Sequence, residues 1–190
     1  MNVQRAIPDR QQLKLTVENF ELLDRAGVFK PYAKVELIEG LIYTVNAEYR
    51  RHNVAKNRLA FKLNVALKQL SSRYEALTES TIRLGPTDLP QADVIVALAQ
   101  PDHRYYELGD LAIVIEVADT SLMVDRNRKQ PLYAGAGVPE YWIVNLRDET
   151  VTVLWGAADG VYHEQLTVRL AGEVRSATLP DLAIDGSGIL

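Results

Sequence analysis

Two kinds of apolar pattern divide this chain. Leu59, Leu63, Ala66, Leu67 and Leu70 recur at helical spacing and predict a long helix from about Asn53 to Ser71. Val54, Phe61 and Val65 form a second stripe opposite, which predicts cover on two sides. A shorter helix is expected from a Thr16 cap to about Arg25, stopped by Gly27, with Val17, Phe20 and Leu22 or Leu23 as its stripe. A third helix, at about Asp125–Gly135, is closed by Gly135, Gly137 and Pro139.

The remaining apolar runs are strand-like. Lys34–Glu39 and Leu41–Val45 flank Gly40 as a hairpin. Further strands are expected at Tyr74–Leu84, Ala92–Leu98, Leu111–Ala118, Tyr141–Leu146, Val151–Trp155 and Val161–Leu166. The resulting order, α–β–β–α–β–β–β–α–β–β–β, predicts a mixed α/β or α+β domain around one central sheet. Residues 1–190 read as one domain with a peripheral arm at 1–14 and an irregular, turn-rich tail at 176–190.

Composition narrows the chemistry. The 190 residues contain no Cys and three His, which removes zinc-thiolate and iron–sulfur sites, disulfide scaffolds and Cys nucleophiles. A bound metal is expected on oxygen ligands, which favours Mg²⁺, Mn²⁺ or Ca²⁺. Net charge is −4, against a bulk-charge nucleic-acid coat. Its distribution changes that picture: residues 50–73 hold seven Lys or Arg and no acid. The N-terminus lacks the apolar run of a signal peptide and no stretch is long enough to cross a bilayer. A soluble, cytoplasmic protein with no membrane partner is therefore expected.

Four charged residues stand out against this pattern. Glu116 lies inside Leu-Ala-Ile-Val-Ile-Glu-Val-Ala, a run typical of a strand buried on both faces. An ionised carboxylate there costs several kcal/mol unless paired, hydrogen-bonded or metal-bound; the alternative is a strand-end Glu reaching water or an Arg. Asp93 opens the strand Ala-Asp-Val-Ile-Val-Ala-Leu, where it either ends the preceding turn or converges with Glu116 if their strands are neighbours. Two such carboxylates repel, and a divalent cation would stabilise both. Lys129 shares a helix face with Asp125, and Tyr133 continues it, so Lys129 is either a surface ion-pair partner or a cation held over the carboxylates. Glu36, in Val-Glu-Leu-Ile-Glu-Gly, reads by default as an exposed hairpin residue. His52 is expected at a helix start, and Lys56 falls on the Leu59–Leu63 stripe, so it must snorkel or meet a buried anionic site. Phosphate-loop, dinucleotide, zincin, EF-hand and nucleophile-elbow motifs are absent.

The succession of an acid, Ala-Asp, Glu-Val and helical Asp-x-x-x-Lys resembles the PD-(D/E)XK nuclease superfamily, and more narrowly its bacterial Uma-type family of putative restriction endonucleases. The resemblance spans about Thr16 to Asp181 and is densest in IEVADTSLMVDRNRKQPLYAGAGVPEYWIVN (115–145), supported by VELIEGLIY (35–43) and LPQADVIV (89–96). It implies an α/β core with a restriction-endonuclease-like mixed sheet flanked by helices. It also implies that Asp93, Glu116 and the Val117 carbonyl hold Mg²⁺ (or Mn²⁺), with Glu36 at the metal site or beside a second ion. Lys129 would be the active-site lysine, Asp125 and Tyr133 its supports. DNA would be the substrate, its phosphates met by Arg50, Arg51, His52, Lys56 and Arg58, and a homodimer would help to cut both strands. Three departures bear on this: Ala92 replaces the usual Pro before the first Asp, Ala118 stands where many relatives keep lysine, and Pro131 follows Lys129 closely. Two other readings share these residues: a catalytically silent binding or scaffold protein on the same fold, and a metal-free sugar- or nucleotide-modifying hydrolase.

Overall fold

The computed structural model describes residues 12–45, 49–98, 104–119 and 122–190. Helix α1 (Val17–Arg25) starts at Thr16, whose side chain and that of Asn19 cap each other's backbone N–H. Strands β1 (Lys34–Ile38) and β2 (Leu41–Val45) pair antiparallel through the Glu39–Gly40 loop. Gly40 is required there: its φ is +76° and a Cβ would stand 2.6 Å from Lys14 Cβ.

Helix α2 runs Arg50–Gln69, one turn earlier at its start than the apolar spacing suggests. Tyr49 occupies the cap position without a capping side chain, so no sequence signal marks that start. Then follow β3 (Tyr74–Arg83), β4 (Gln91–Leu98), the short β5 (Tyr106–Glu107) and β6 (Leu111–Ala118). The helical stretch after β6 is α3 (Leu122–Val124), a π-helical turn at Asp125–Lys129, and α4 (Gln130–Ala136). The single α-helix expected over 125–135 is thus corrected. Pro131 lies in the first turn of α4 and has no N–H to give, so a regular α ladder cannot pass through it. Strands β7 (Glu140–Asn145), β8 (Thr150–Ala158), β9 (Val161–Arg169), β10 (Glu173–Arg175) and β11 (Ala183–Asp185) complete the chain.

Seven strands form the central sheet in the order β5-β3-β4-β6-β7-β8-β9. It is mixed: β6 and β7 are parallel, as are β3 and β5, and the other neighbours are antiparallel. Helix α2 covers one face, packing Leu59, Leu63 and Leu67 with Val94, Ile115 and Trp142. Tyr133 of α4 and Val138 cover the other with Ile95, Val114 and Tyr141. This is the mixed α/β architecture expected. Phe61 and Val65, however, are exposed, so α2 is covered on one side only; isolated apolar residues on a solvent face are ordinary.

The tail at 176–190 is mostly turns, with one short strand that packs it onto the core. β10 and β11 pair with each other, and Leu182, Ile184 and Ile189 are buried against the α2 face. Short strands separated by turns carry too little periodicity to be read from sequence. What anchors this segment is Glu140, fully buried in β7, which accepts hydrogen bonds from Trp142 Nε1, Ser176 Oγ, the Ala177 and Thr178 N–H groups and Thr178 Oγ1.

Candidate active site

The ladder between β4 and β6 runs from Ala97↔Leu111 to Val94↔Ile115 and is not continued to the next pair. In its place the Asp93 carboxylate accepts the Val117 N–H through Oδ2 at 2.8 Å. Asp93 therefore bridges the two strand ends through its side chain where the backbone ladder stops. The same oxygen accepts from His52 Nε2 at 3.1 Å, and Lys34 Nζ lies 3.9 Å from Oδ1. Burial alone would raise the Asp93 pKa; His52, followed by the Lys34 and Lys129 charges, holds it at about 2.

Glu116, next on β6, is 2% exposed. Its Oε1 accepts from Lys129 Nζ at 2.9 Å and from the Tyr133 hydroxyl at 2.8 Å. The four-residue spacing read from sequence thus delivers Lys129 and Tyr133 to one oxygen, although Lys129 comes from the π-turn rather than an α-helix. Lys129 Nζ also stands 3.3 Å from Glu36 Oε1, so one ammonium bridges two buried carboxylates. Burial would lower the Lys129 pKa, but Glu116, then Glu36 and Asp93, raise it above the usual lysine value. Lys129 is a fixed cation at any ordinary pH. Burial raises the Tyr133 hydroxyl well above its usual value, and the Glu116 charge adds to that, so it remains a donor.

Glu36 is buried, against its default reading as an exposed hairpin residue. Backbone bonds between Leu37 and Leu89 latch β1 to the turn before β4, and the Gln91 N–H then donates to Glu36 Oε1 at 2.9 Å. Arg128 stacks over the Tyr43 ring, tying the π-turn to the same hairpin. The surroundings, not the local pattern, bury this residue.

The basic segment divides. His52 and Lys56, one turn apart on α2, face the carboxylates; Lys56 is 2% exposed and pairs with Glu79. Arg51 instead donates to the Leu146 carbonyl at 2.7 Å, and Arg58 to the carbonyls of Gly188 and Leu190. Arg50 is exposed at the start of α2. The Asp125 side chain lies outside the described residues, so its support of Lys129 is untouched by this geometry.

Two participants escaped the sequence reading. Lys34 is two residues before Glu36 and so on its side of β1, which was a usable signal. Glu79 resembles any surface strand Glu, and the partners of its carboxylate come from two other elements, β1 and α2.

The donor set suits a hard divalent cation in kind, since carboxylates and a backbone carbonyl are oxygen ligands and Asp93 is held ionised. Among the described residues no three acidic or imidazole groups gather at coordinating spacing. Two chains of alternating charge stand there instead: Glu116–Lys129–Glu36 and Asp93–Lys34–Glu79–Lys56.

Comparison with known proteins agrees with this architecture. A solved structure described as a putative nuclease belonging to DUF820, from Anabaena variabilis, superposes with a TM-score of 0.67 over 92% of this chain and 97% of its own, at 16% identity. At that identity the likeness bears on the fold alone. No curated protein matches the chain. Among the described residues no helix is long and apolar enough to cross a membrane. The family described as Uma2, putative restriction endonuclease, matches residues 17–186, nearly the entire sequence, and the chain belongs to that family.

Proposed function

We propose that this protein is a Mg²⁺- or Mn²⁺-dependent endonuclease that hydrolyses DNA phosphodiester bonds, the chain acting as one nuclease-like unit. The observation that carries the reading is the gathering of Asp93, Glu116, Glu36 and Lys129 at one end of the sheet, from four elements far apart in sequence. Buried charges of this density are expensive to assemble and concentrate where chemistry uses them. Asp93, Glu116 and the Val117 carbonyl are the proposed metal holders, with Glu36 beside them. A divalent ion so held would supply an activated water and neutralise charge on the phosphate. Lys129, cationic throughout the working pH range, would stabilise negative charge developing on the phosphate, oriented by Glu116 and Glu36. Tyr133 holds the Glu116 carboxylate in place. His52 fixes Asp93 and Lys56 lies on the same buried side of α2, while Arg50, Arg51 and Arg58, on its other side, would meet the nucleic-acid backbone. A homodimer would place two such sites on opposite strands.

Plasmid relaxation with Mg²⁺ or Mn²⁺ is the direct test. Asp93→Asn, Glu116→Gln and Lys129→Met should each lower cleavage by at least about 10²-fold; wild-type rates in all three variants would reject the assignment. A second reading, a catalytically silent nuclease-fold binding protein, draws on the lysines that stand between the carboxylates. Calorimetry separates the two, because the silent form takes up no Mg²⁺ or Mn²⁺ at millimolar concentration while remaining folded.

A further inference from the structure

Lys56 lies on the buried side of α2, and its side chain is 3% exposed. Its ammonium meets one oxygen of the Glu79 carboxylate, and Lys34 Nζ stands 3.7 Å from the other. Exposure grades across this cluster: the side chains of Lys34 and His52 are 12% exposed and that of Asp93 is 7%, whereas Glu79 is 38%. Glu79 is therefore the outermost member, and the two lysines sit behind it.

The Glu79 backbone is unusual. Its φ is +53°, in the left-handed region that non-glycine residues seldom adopt, and it sits in the interior of a strand. The β3–β4 register passes from Thr78↔Val94 to Ser80↔Ala92 and omits the pair between, Glu79 with Asp93. Strain of this kind persists only where surrounding contacts hold it, and it collects at ligand clamps and switching sites. Here the contacts are two lysines, one on each carboxylate oxygen, and the Gln91 side-chain amide, which donates to the Glu79 carbonyl at 2.9 Å.

A phosphodiester presents the same pattern as that carboxylate: one negative charge shared between two outward oxygens. We propose that Lys34 and Lys56 form a phosphodiester subsite beside Asp93, and that Glu79 occupies it as a resident stand-in until a nucleic-acid backbone displaces it. The ligand's identity rests on the nuclease reading above. Displacement exchanges one anion for another, so the lysines stay paired and Glu79, already half exposed, swings toward water. The subsite also accounts for a lysine in the middle of an apolar stripe, where a surface contact would not require one.

Binding of a short fluorescent DNA duplex in EDTA, followed by anisotropy, tests this without turnover. Glu79→Gln removes the competing charge and should bind about tenfold tighter than wild type, with a steeper salt dependence. Adding Lys56→Met to Glu79→Gln should abolish that gain; Lys34→Met serves the same purpose if the Lys56 variant fails to fold. Equal or weaker binding by Glu79→Gln, or a gain that survives loss of either lysine, overturns the subsite. If wild type meanwhile still cleaves DNA, the nuclease assignment stands and only the subsite falls. Folded wild type and variants that all ignore the duplex would overturn the subsite, and plasmid cleavage with metal then decides the nuclease assignment separately.

Discussion

Lys129 stands where two buried carboxylates would otherwise repel each other, so its removal should be felt first as lost stability. Lys129→Met leaves Glu36 and Glu116 without their shared cation and should destabilise the fold by about 3–5 kcal/mol. Urea unfolding at neutral pH measures this, and partial recovery under mildly acidic conditions identifies the uncompensated carboxylates as the cause. Asp93 makes the complementary prediction. Its folded pKa, about 2, lies below the ordinary 3.8, so its ionised form adds stability that is fully present above about pH 4. That contribution, roughly 2 kcal/mol, should fade as pH falls toward 2. The metal-free protein should therefore lose more stability across this window than Asp93→Asn; equal slopes would refute the assignment. At this scale the sequence was most legible where a charge interrupts an apolar run: Glu116 and Asp93 stood out, and Lys129 and Tyr133 followed by helical spacing. Glu36 was singled out but its burial was not foreseen, and Glu79 did not stand out, because hairpin docking buries the one and a left-handed residue positions the other. Neither leaves a trace in alternation.

Elements were legible in proportion to their length. The α2 stripe and the β6 run are long enough for periodicity to identify both, whereas β5 and β10 span two and three residues. The stretch between β6 and β7 shows the opposite failure: a strong helical pattern concealed a π-turn. That turn matters because it gives Lys129 its place over Glu116, and α4 beyond it is fixed at its far end by Gly137. Gly137 has φ +83° and open space around its missing Cβ, so any penalty for a side chain there is conformational. Gly137→Ala should cost roughly 1–2 kcal/mol, read as a lower Tm, with the Glu116–Lys129 contact preserved. A much larger loss would mean that α4 itself had shifted, and would appear as a parallel loss of cleavage.

The whole molecule is closed by a contact that spacing alone could not disclose. Glu140, in Gly-Val-Pro-Glu-Tyr-Trp, opens β7, yet it is fully buried and holds residues 176–178 against that strand. Glu140→Ala strands several donors at once and should destabilise by roughly 3 kcal/mol or more; Glu140→Gln, which keeps part of the acceptor, should lose less. Limited proteolysis provides an independent measure, with cleavage within 176–190 quickened in the Ala variant. Unchanged proteolysis would show that the apolar contacts of Leu182, Ile184 and Ile189 suffice to hold the segment.

The Glu140 anchor also imposes an order in time. β7 lies near the middle of the sheet, yet most donors to its Glu140 carboxylate come from residues 176–178. On a ribosome, the sheet can therefore assemble around an acid most of whose donors have not been translated. A nascent chain halted before Ser176 would keep the Trp142 N–H as a donor to Glu140 and leave the rest of the carboxylate to water. Docking of residues 176–178 is thus the step that dries this carboxylate, and it can come only after those residues have been made.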